Sequence, residues 1–231
     1  QLGENVGGFS AHPRRVNTDL WRKVAAGRAH TCGINHTGQL ICFGANDVGQ
    51  LGREGSSRSA SLTPVAMAIP VQDVCVSEDY TCAIDGHSEL YCFGQDFQNR
   101  VSFTPGEISA ESNWQAVVCG PNHLCARNLR DEIWCTGEEE GFPGGSGGSL
   151  VALVFVQISA DSISLGLSHS CVVNSTGELW CYGSNFFGQI KDTQTQAFPV
   201  GVQVEPQRTW RSVAAGLFHT CAIDSQNALF C

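Results

Sequence analysis

Ten of the chain's cysteines fall into five pairs, Cys32/Cys42, Cys82/Cys92, Cys125/Cys135, Cys171/Cys181 and Cys221/Cys231, each with an internal spacing of ten. The pairs recur at intervals of 50, 43, 46 and 50 residues. Self-similarity at such a period marks a repeat architecture, in which one supersecondary unit is copied and stacked. The flanking residues repeat as well. "WRKVAAGRAHTC" from Trp21 returns as "WRSVAAGLFHTC" from Trp210, with more distant copies in "VQDVCVSEDYTC", "WQAVVCGPNHLC" and "ADSISLGLSHSC". Glycine follows the second cysteine at Gly44, Gly94, Gly137 and Gly183, and a short apolar run led by Pro13, Pro64, Pro105 or Pro199 precedes four of the units.

Each unit predicts four short strands: a proline-led edge segment first, where a missing N–H is tolerated, then the "WRKVAAG", "HTCGI" and "QLICFG" strands. No unit holds a convincing amphipathic helix. Four strands per repeat of this length fit the blade of a β-propeller, whose sheets are buried on both faces by their neighbours. Double burial accounts for strands such as "QLICFG" and "ELWCYG", apolar at consecutive positions instead of alternating. The expected units span about 9–52, 60–101, 103–140, 149–190 and 197–231, within a single propeller domain or part of one.

The two cysteine strands predict a hairpin. If Asn35 pairs with Gln39, the loop is His36-Thr37-Gly38, whose last residue must be left-handed. Gly38, Ser88, Asp131, Gly177 and Asn227 occupy that place, all but serine tolerant of it, and Asn35, Asp85, Asn128, Asn174 and Asp224 supply the Asx that begins a type I turn. This register sets Cys32 directly opposite Cys42, with Cα atoms about 4.5 Å apart in a non-hydrogen-bonded pair, within the reach of a disulfide. Each unit therefore carries a staple across its own hairpin. The remaining two, Cys75 and Cys119, stand in equivalent strands of adjacent units and are expected to bridge them.

Twelve cysteines, an even number, suggest disulfides and an oxidising compartment. A net charge of −9 argues against general binding of nucleic acid. No apolar run is long enough to span a membrane, the longest being "SLVALVFVQISA" from Ser149. "NHT" at Asn35 and "NST" at Asn174 are N-glycosylation acceptors at one hairpin tip, which the geometry predicts to be exposed.

Chemistry is weakly signalled. His30, His123, His169 and His219 precede the first cysteine by two, with Tyr80 in the second unit; a residue that obeys the repeat reads as structural, not as a metal ligand or base. Cysteines ten apart do not match zinc spacing. Asn46 and Asn185 read as turn caps, and Trp21, Trp114, Trp134, Trp180 and Trp210 as core. "GFPGGSGGS" from Gly141 lacks the Gly-Lys-Ser/Thr of a phosphate loop and reads as a flexible loop. No catalytic set, metal site or cofactor fingerprint emerges, so no enzyme and no cofactor is expected.

The pattern "AAGxxHTC…GxLxCxGxNxxGQLG" resembles the repeat family of the regulator of chromosome condensation over the whole chain, closely in the first, fourth and fifth units. The paired cysteines are most similar to its secreted branch, the ectodomains of CRINKLY-type plant receptor kinases. The resemblance implies a β-propeller, usually seven-bladed. The chain opens on "QLGEN", the tail of a preceding unit, and closes at Cys231 before its own, so either a larger parent supplies more blades, the favoured expectation, or a few further residues close a five-bladed ring. The functional expectation is a secreted or cell-surface, non-enzymatic scaffold that binds protein partners or glycans, as a receptor ectodomain or part of an extracellular assembly. The alternative is a nucleotide exchange factor for a small GTPase, the activity of the family's namesake.

Overall fold

The computed structural model describes residues 12, 15–55, 59, 62–96, 99–108, 113–137 and 162–231, and the backbone of 151–157. Among these the regular structure is entirely strand, with no helix. The chain divides into two compact units, Gln1–Val117 and Val118–Cys231. The division falls within β8 (Trp114–Cys119).

In the first unit, β1 (Trp21–Ala26), β2 (His30–Asn35) and β3 (Leu40–Gly44) form an antiparallel sheet in chain order. A second sheet runs β4 (Val71–Val76), β5 (Tyr80–Asp85), β6 (Leu90–Gln95), β7 (Val101–Glu107). In the second unit, β10 (Glu132–Gly137) pairs with β9 (His123–Asn128) on one side and β11 (Val151–Gln157) on the other. Next come the four strands β12 (Ser162–Leu165), β13 (His169–Val173), β14 (Leu179–Ser184) and β15 (Ala197–Val204). The three strands β16 (Trp210–Ala215), β17 (Thr220–Asp224) and β18 (Leu229–Phe230) complete it.

The proline-led segments do not open their own units. β7, with Pro105, lies beside β6, and β15, with Pro199, lies beside β14, each as the edge strand of the preceding sheet. Pro64 and Ser59 likewise bridge to Ile41 and Gly44 of β3. The reason is economy of connection: a chain leaving β6 turns back antiparallel along the same sheet. Proline remains on an edge either way, as its missing N–H requires. The counterpart at Pro13 lies outside the described residues.

The core sits between sheets. In the first unit, Ile34, Leu40, Leu51 and the Cys32/Cys42 pair pack against Val71, Val74, Ala83 and Phe93 of the next sheet. In the second, Ile133 and the Cys125/Cys135 pair meet Val172 and Tyr182, while Val173, Leu179 and Ile190 meet Trp210, Val213 and Ala222. Every residue of β3 and β13 is buried, which is why their sequences do not alternate. Of the five tryptophans, Trp114 and Trp210 are buried and Trp21, Trp134 and Trp180 half-buried.

Candidate functional site

The hairpin tips follow one rule. The residue at the last loop position has φ of 84° at Gly38, 64° at Ser88, 61° at Asp131, 79° at Gly177 and 64° at Asn227, the left-handed conformation in all five, serine included. The amides of these residues donate to the carbonyls of Asn35, Asp85, Asn128, Asn174 and Asp224, closing the turn at 2.9–3.0 Å. The Asx side chain holds it. Asn35 Oδ1 accepts the amides of Thr37 and Gln39 at 3.1 and 2.9 Å, and the other four tips repeat the arrangement. An Asx oxygen accepting two backbone donors offers the chain a turn in place of a straight strand.

This role packs the acceptor asparagines inward. Asn35 is 5% exposed, against the exposure expected of a tip, and Asn174 is half-buried. Thr37 Oγ1 and Thr176 Oγ1 each donate to the asparagine Oδ1 of their own triplet at 2.7 Å.

With Asn35 N–H donating to the Gln39 carbonyl at 3.1 Å, the register brings Cys32 opposite Cys42. Disulfides join Cys32–Cys42, Cys82–Cys92, Cys125–Cys135, Cys171–Cys181 and Cys221–Cys231, with Cα separations of 4.1–4.2 Å. Cys75 and Cys119 are disulfide-bonded too. Two residues on, Gly44 and Gly94 have φ of 121° and 101°, and a Cβ there would lie 2.5 Å and 2.3 Å from the Ala29 and Asp79 carbonyl oxygens. Only glycine lets these two loops close together.

The histidines form a ladder between sheets. His30 Nε2 lies 2.9 Å from Thr81 Oγ1, His123 Nε2 lies 2.8 Å from Ser170 Oγ, and His169 Nε2 lies 2.9 Å from Thr220 Oγ1. Burial lowers the pKa of His30 to about 4, and that of His123 to about 3 with help from His169 nearby. His169 is lowered to about 4 by burial and by His219, against a backbone hydrogen bond to His219. His123 and Ser170 thus resemble a base and nucleophile in geometry alone. Both are fully buried, and an imidazole of such low pKa is a poor base at neutral pH. Tyr80 takes the histidine's place in β5, and burial pushes its phenol up. His219 departs from the set and is exposed.

Asn46 and Asn185 are likewise internal fittings. Asn46 Oδ1 accepts the Leu51 amide at 2.9 Å and its Nδ2 donates to the Arg53 carbonyl at 3.0 Å. Asn185 Oδ1 accepts from Ile190 and Lys191 and its Nδ2 donates to the Lys191 and Thr195 carbonyls, at 2.8–3.0 Å. The glycine-rich segment from Gly141 lies outside the described residues.

Two features stand apart from the repeat. In the second unit Phe186, Phe187, Leu217 and Phe218 are 66, 64, 52 and 46% exposed. Phe187 makes edge contacts with Phe186 and Phe218 at centroid distances of 5.2 and 5.1 Å, so they form one aromatic cluster. It adjoins a recess of about 440 Å³ lined by Phe187, Ile190, Trp210, Phe218 and Phe230. In the first unit, ligand atoms of Asp85, His87 and Glu89 lie within 4.8 Å of one another. Neither feature follows from the repeat pattern. The signal for both is departure from it: "NFFGQ" where the first unit has "NDVGQ", and "DGHSE" with a histidine two residues after the Asx, a place held by Thr37, Arg130, Thr176 and Gln226 in the other units.

Residues 21–50 and 160–189, and separately 37–84, match the regulator of chromosome condensation (RCC1) repeat. A curated relative, the regulator of chromosome condensation of Xenopus laevis, is 24% identical over 127 residues, 50% of this chain and 30% of that protein. Human WBSCR16 superposes with a TM-score of 0.77 at 18% identity, over 91% of this chain and 59% of that one. The ectodomain of the Physcomitrella patens receptor kinase CR4 superposes at 0.64 and 17% identity, over 92% and 53%. The chain therefore spans under a third of that curated relative and somewhat over half of these solved chains. With its strand order and turns, it is an all-β protein with the β-propeller fold, and residues 21–84 and 160–189 are similar to the RCC1 repeat.

Proposed function

We propose that this protein is an extracellular or cell-surface binding module, a disulfide-stapled propeller that engages a protein partner through exposed loops. The observation that carries the reading is the aromatic cluster of Phe186, Phe187 and Phe218 with Leu217. Contiguous exposed apolar surface on a chain otherwise stapled and packed marks an interaction site, and aromatic anchors dominate interface energetics. Support for an oxidising compartment comes from the five hairpin disulfides and from the likeness to a receptor kinase ectodomain. N-glycans at Asn174 and Asn35 belong to the same reading. Whether the module serves a receptor or an extracellular assembly depends on what it is joined to.

We also take the five repeats as parts of one propeller domain. Val24 of β1 is 68% exposed, whereas its counterparts Val74, Val117 and Val213 are 0, 3 and 8% exposed. An uncovered face of this kind suits a further sheet of the same type.

The test is retention on extracellular matrix or cell surfaces, with the protein bearing Phe187→Ser and Phe218→Ser as comparison. The variant should keep its melting temperature and lose retention at least tenfold; equal retention of both would remove the aromatic cluster from the account. The second reading, exchange on a Ran-like GTPase, is favoured by the 127-residue match to the Xenopus regulator. A nucleotide-release assay separates the two, since a scaffold leaves the release rate unchanged.

A further inference from the structure

At four of the five hairpin tips, the first turn residue is answered from within the fold. Asn35 Nδ2 donates to Gln39 Oε1 at 3.0 Å, and Asn128 and Asn174 Nδ2 donate to Glu132 and Glu178 Oε2 at 2.6 Å. In the fifth hairpin the residue is Asp224, Ala228 stands four residues on, and Arg208 approaches the carboxylate at 3.5 Å.

The second tip is different. Asp85 stands where three others have the amide, and Glu89, four residues on, adds another carboxylate. Two acceptors meet where three of the other tips have an N–H···O bond. Asp85 is 2% exposed. Its Oδ1 accepts the His87 and Glu89 amides at 2.9 and 3.0 Å, and its Oδ2 has no hydrogen-bond donor among the described residues. Among the described residues, no lysine or arginine pairs with Asp85 or Glu89. His87 lies beside both, where the other tips carry Thr37, Arg130, Thr176 and Gln226.

Two carboxylates side by side, with no lysine or arginine paired to them among the described residues, suit a cation. The third side chain points to the cation. Two carboxylates and an imidazole are the mixed O/N set of a zinc-class ion with one position left for water, whereas calcium takes six or more oxygens. Ligand atoms bound to one zinc ion lie roughly 3.3 Å apart. The donor atoms of the three side chains lie within 4.8 Å of one another, so they must close in by up to about 1.5 Å to share one ion. Tyr91 Oη donates to Glu89 Oε2 at 2.6 Å, the kind of outer contact that orients a ligating carboxylate. We propose that Asp85, His87 and Glu89 form a binding site for a divalent cation of the zinc class at the tip of the second hairpin.

Titration calorimetry with zinc ion alone, on the full oxidised chain first stripped with a chelator, tests this. One saturable site is expected, weakened at least tenfold by His87→Ala and unaffected by His36→Ala. Asp85→Asn restores the Asn/Glu pair of the third and fourth tips, so it should melt no lower than the parent and yet lose both zinc binding and zinc-induced thermal stabilisation. No saturable zinc binding would overturn the site, as would binding that survives both His87→Ala and Asp85→Asn. Equal stabilisation by calcium would overturn the zinc-class assignment.

Discussion

His30 Nε2 donates across to Thr81 Oγ1, 2.9 Å away on the neighbouring sheet, because that hydroxyl gives its one proton to the Gln50 carbonyl at 2.9 Å. The donor roles fix the imidazole as the Nε2–H tautomer and leave Nδ1 a buried bare acceptor without a partner. A second proton would create a buried cation, and the low pKa follows from that.

Stability should therefore fall as the solution is acidified. His30 and His169 have folded pKa values of about 4, below the ordinary 6.5, so the unfolded chain binds protons first. Their contribution is fully present above about pH 6.5 and is lost between there and about pH 4, at ~1.4 kcal/mol per pH unit for each histidine. Urea midpoints measured across that window check the slope. His30→Gln should remove one histidine's share; a flat profile would refute the ladder's electrostatics.

Asp73 ties two strands to its own. Its Oδ1 accepts the Val74 amide at 2.9 Å and pairs with Lys23, while Oδ2 accepts the Val117 amide at 3.0 Å. Ser162 uses the same position in the fourth sheet, its Oγ accepting the Val213 amide at 3.0 Å. Asp73→Ala leaves two backbone donors without acceptors and should destabilise by about 1–3 kcal/mol. Denaturant unfolding reads this, and Asp73→Ser should recover part of the loss.

The staples differ in setting but not in loop length. Each closes a separation of ten residues, for which chain entropy supplies somewhat under ~3 kcal/mol. Cys32 and Cys42 are fully buried, whereas Cys221 is half-buried and Cys231 exposed. Replacing the first pair by serine adds buried hydroxyls to the lost cross-link, so it should lower the melting temperature well beyond replacement of Cys221 and Cys231. Equal losses would mean that loop closure alone matters.

Glycan occupancy should follow exposure. Asn174 is half-buried and Asn35 nearly fully so, its Nδ2 held by Gln39. Treatment of secreted protein with an N-glycosidase is expected to shift the mass, with Asn174 the more occupied acceptor in peptide maps. No shift would withdraw this support for secretion.

The repeat, the hairpin register and the turn chemistry were legible because each rests on local spacing: Asn35 to Gln39 fixes the turn, and the turn fixes Cys32 opposite Cys42. Edge assignment was not. Pro105 reads equally well before its unit or after the preceding one, and only hydrogen bonding to β6 decides. The register shift between Trp21 and Lys23, repeated between Val71 and Asp73 and between Trp210 and Ser212, had no local signal either. Symmetry also concealed Asp85, whose turn role matches its counterparts while its pairing with Glu89 does not. The aromatic cluster needs Phe187 and Phe218 to meet across 31 positions of sequence, which spacing alone does not reveal.

The central claim is a disulfide-stapled module working outside the reducing interior of the cell. Thiols of native material, trapped with an alkylating reagent under denaturing conditions and mapped by mass spectrometry without reduction, test it most directly. The account predicts no alkylated cysteine, the five hairpin-linked peptides, and a peptide joining Cys75 to Cys119. Alkylation at the hairpin cysteines would contradict it and favour an exchange factor in a reducing compartment.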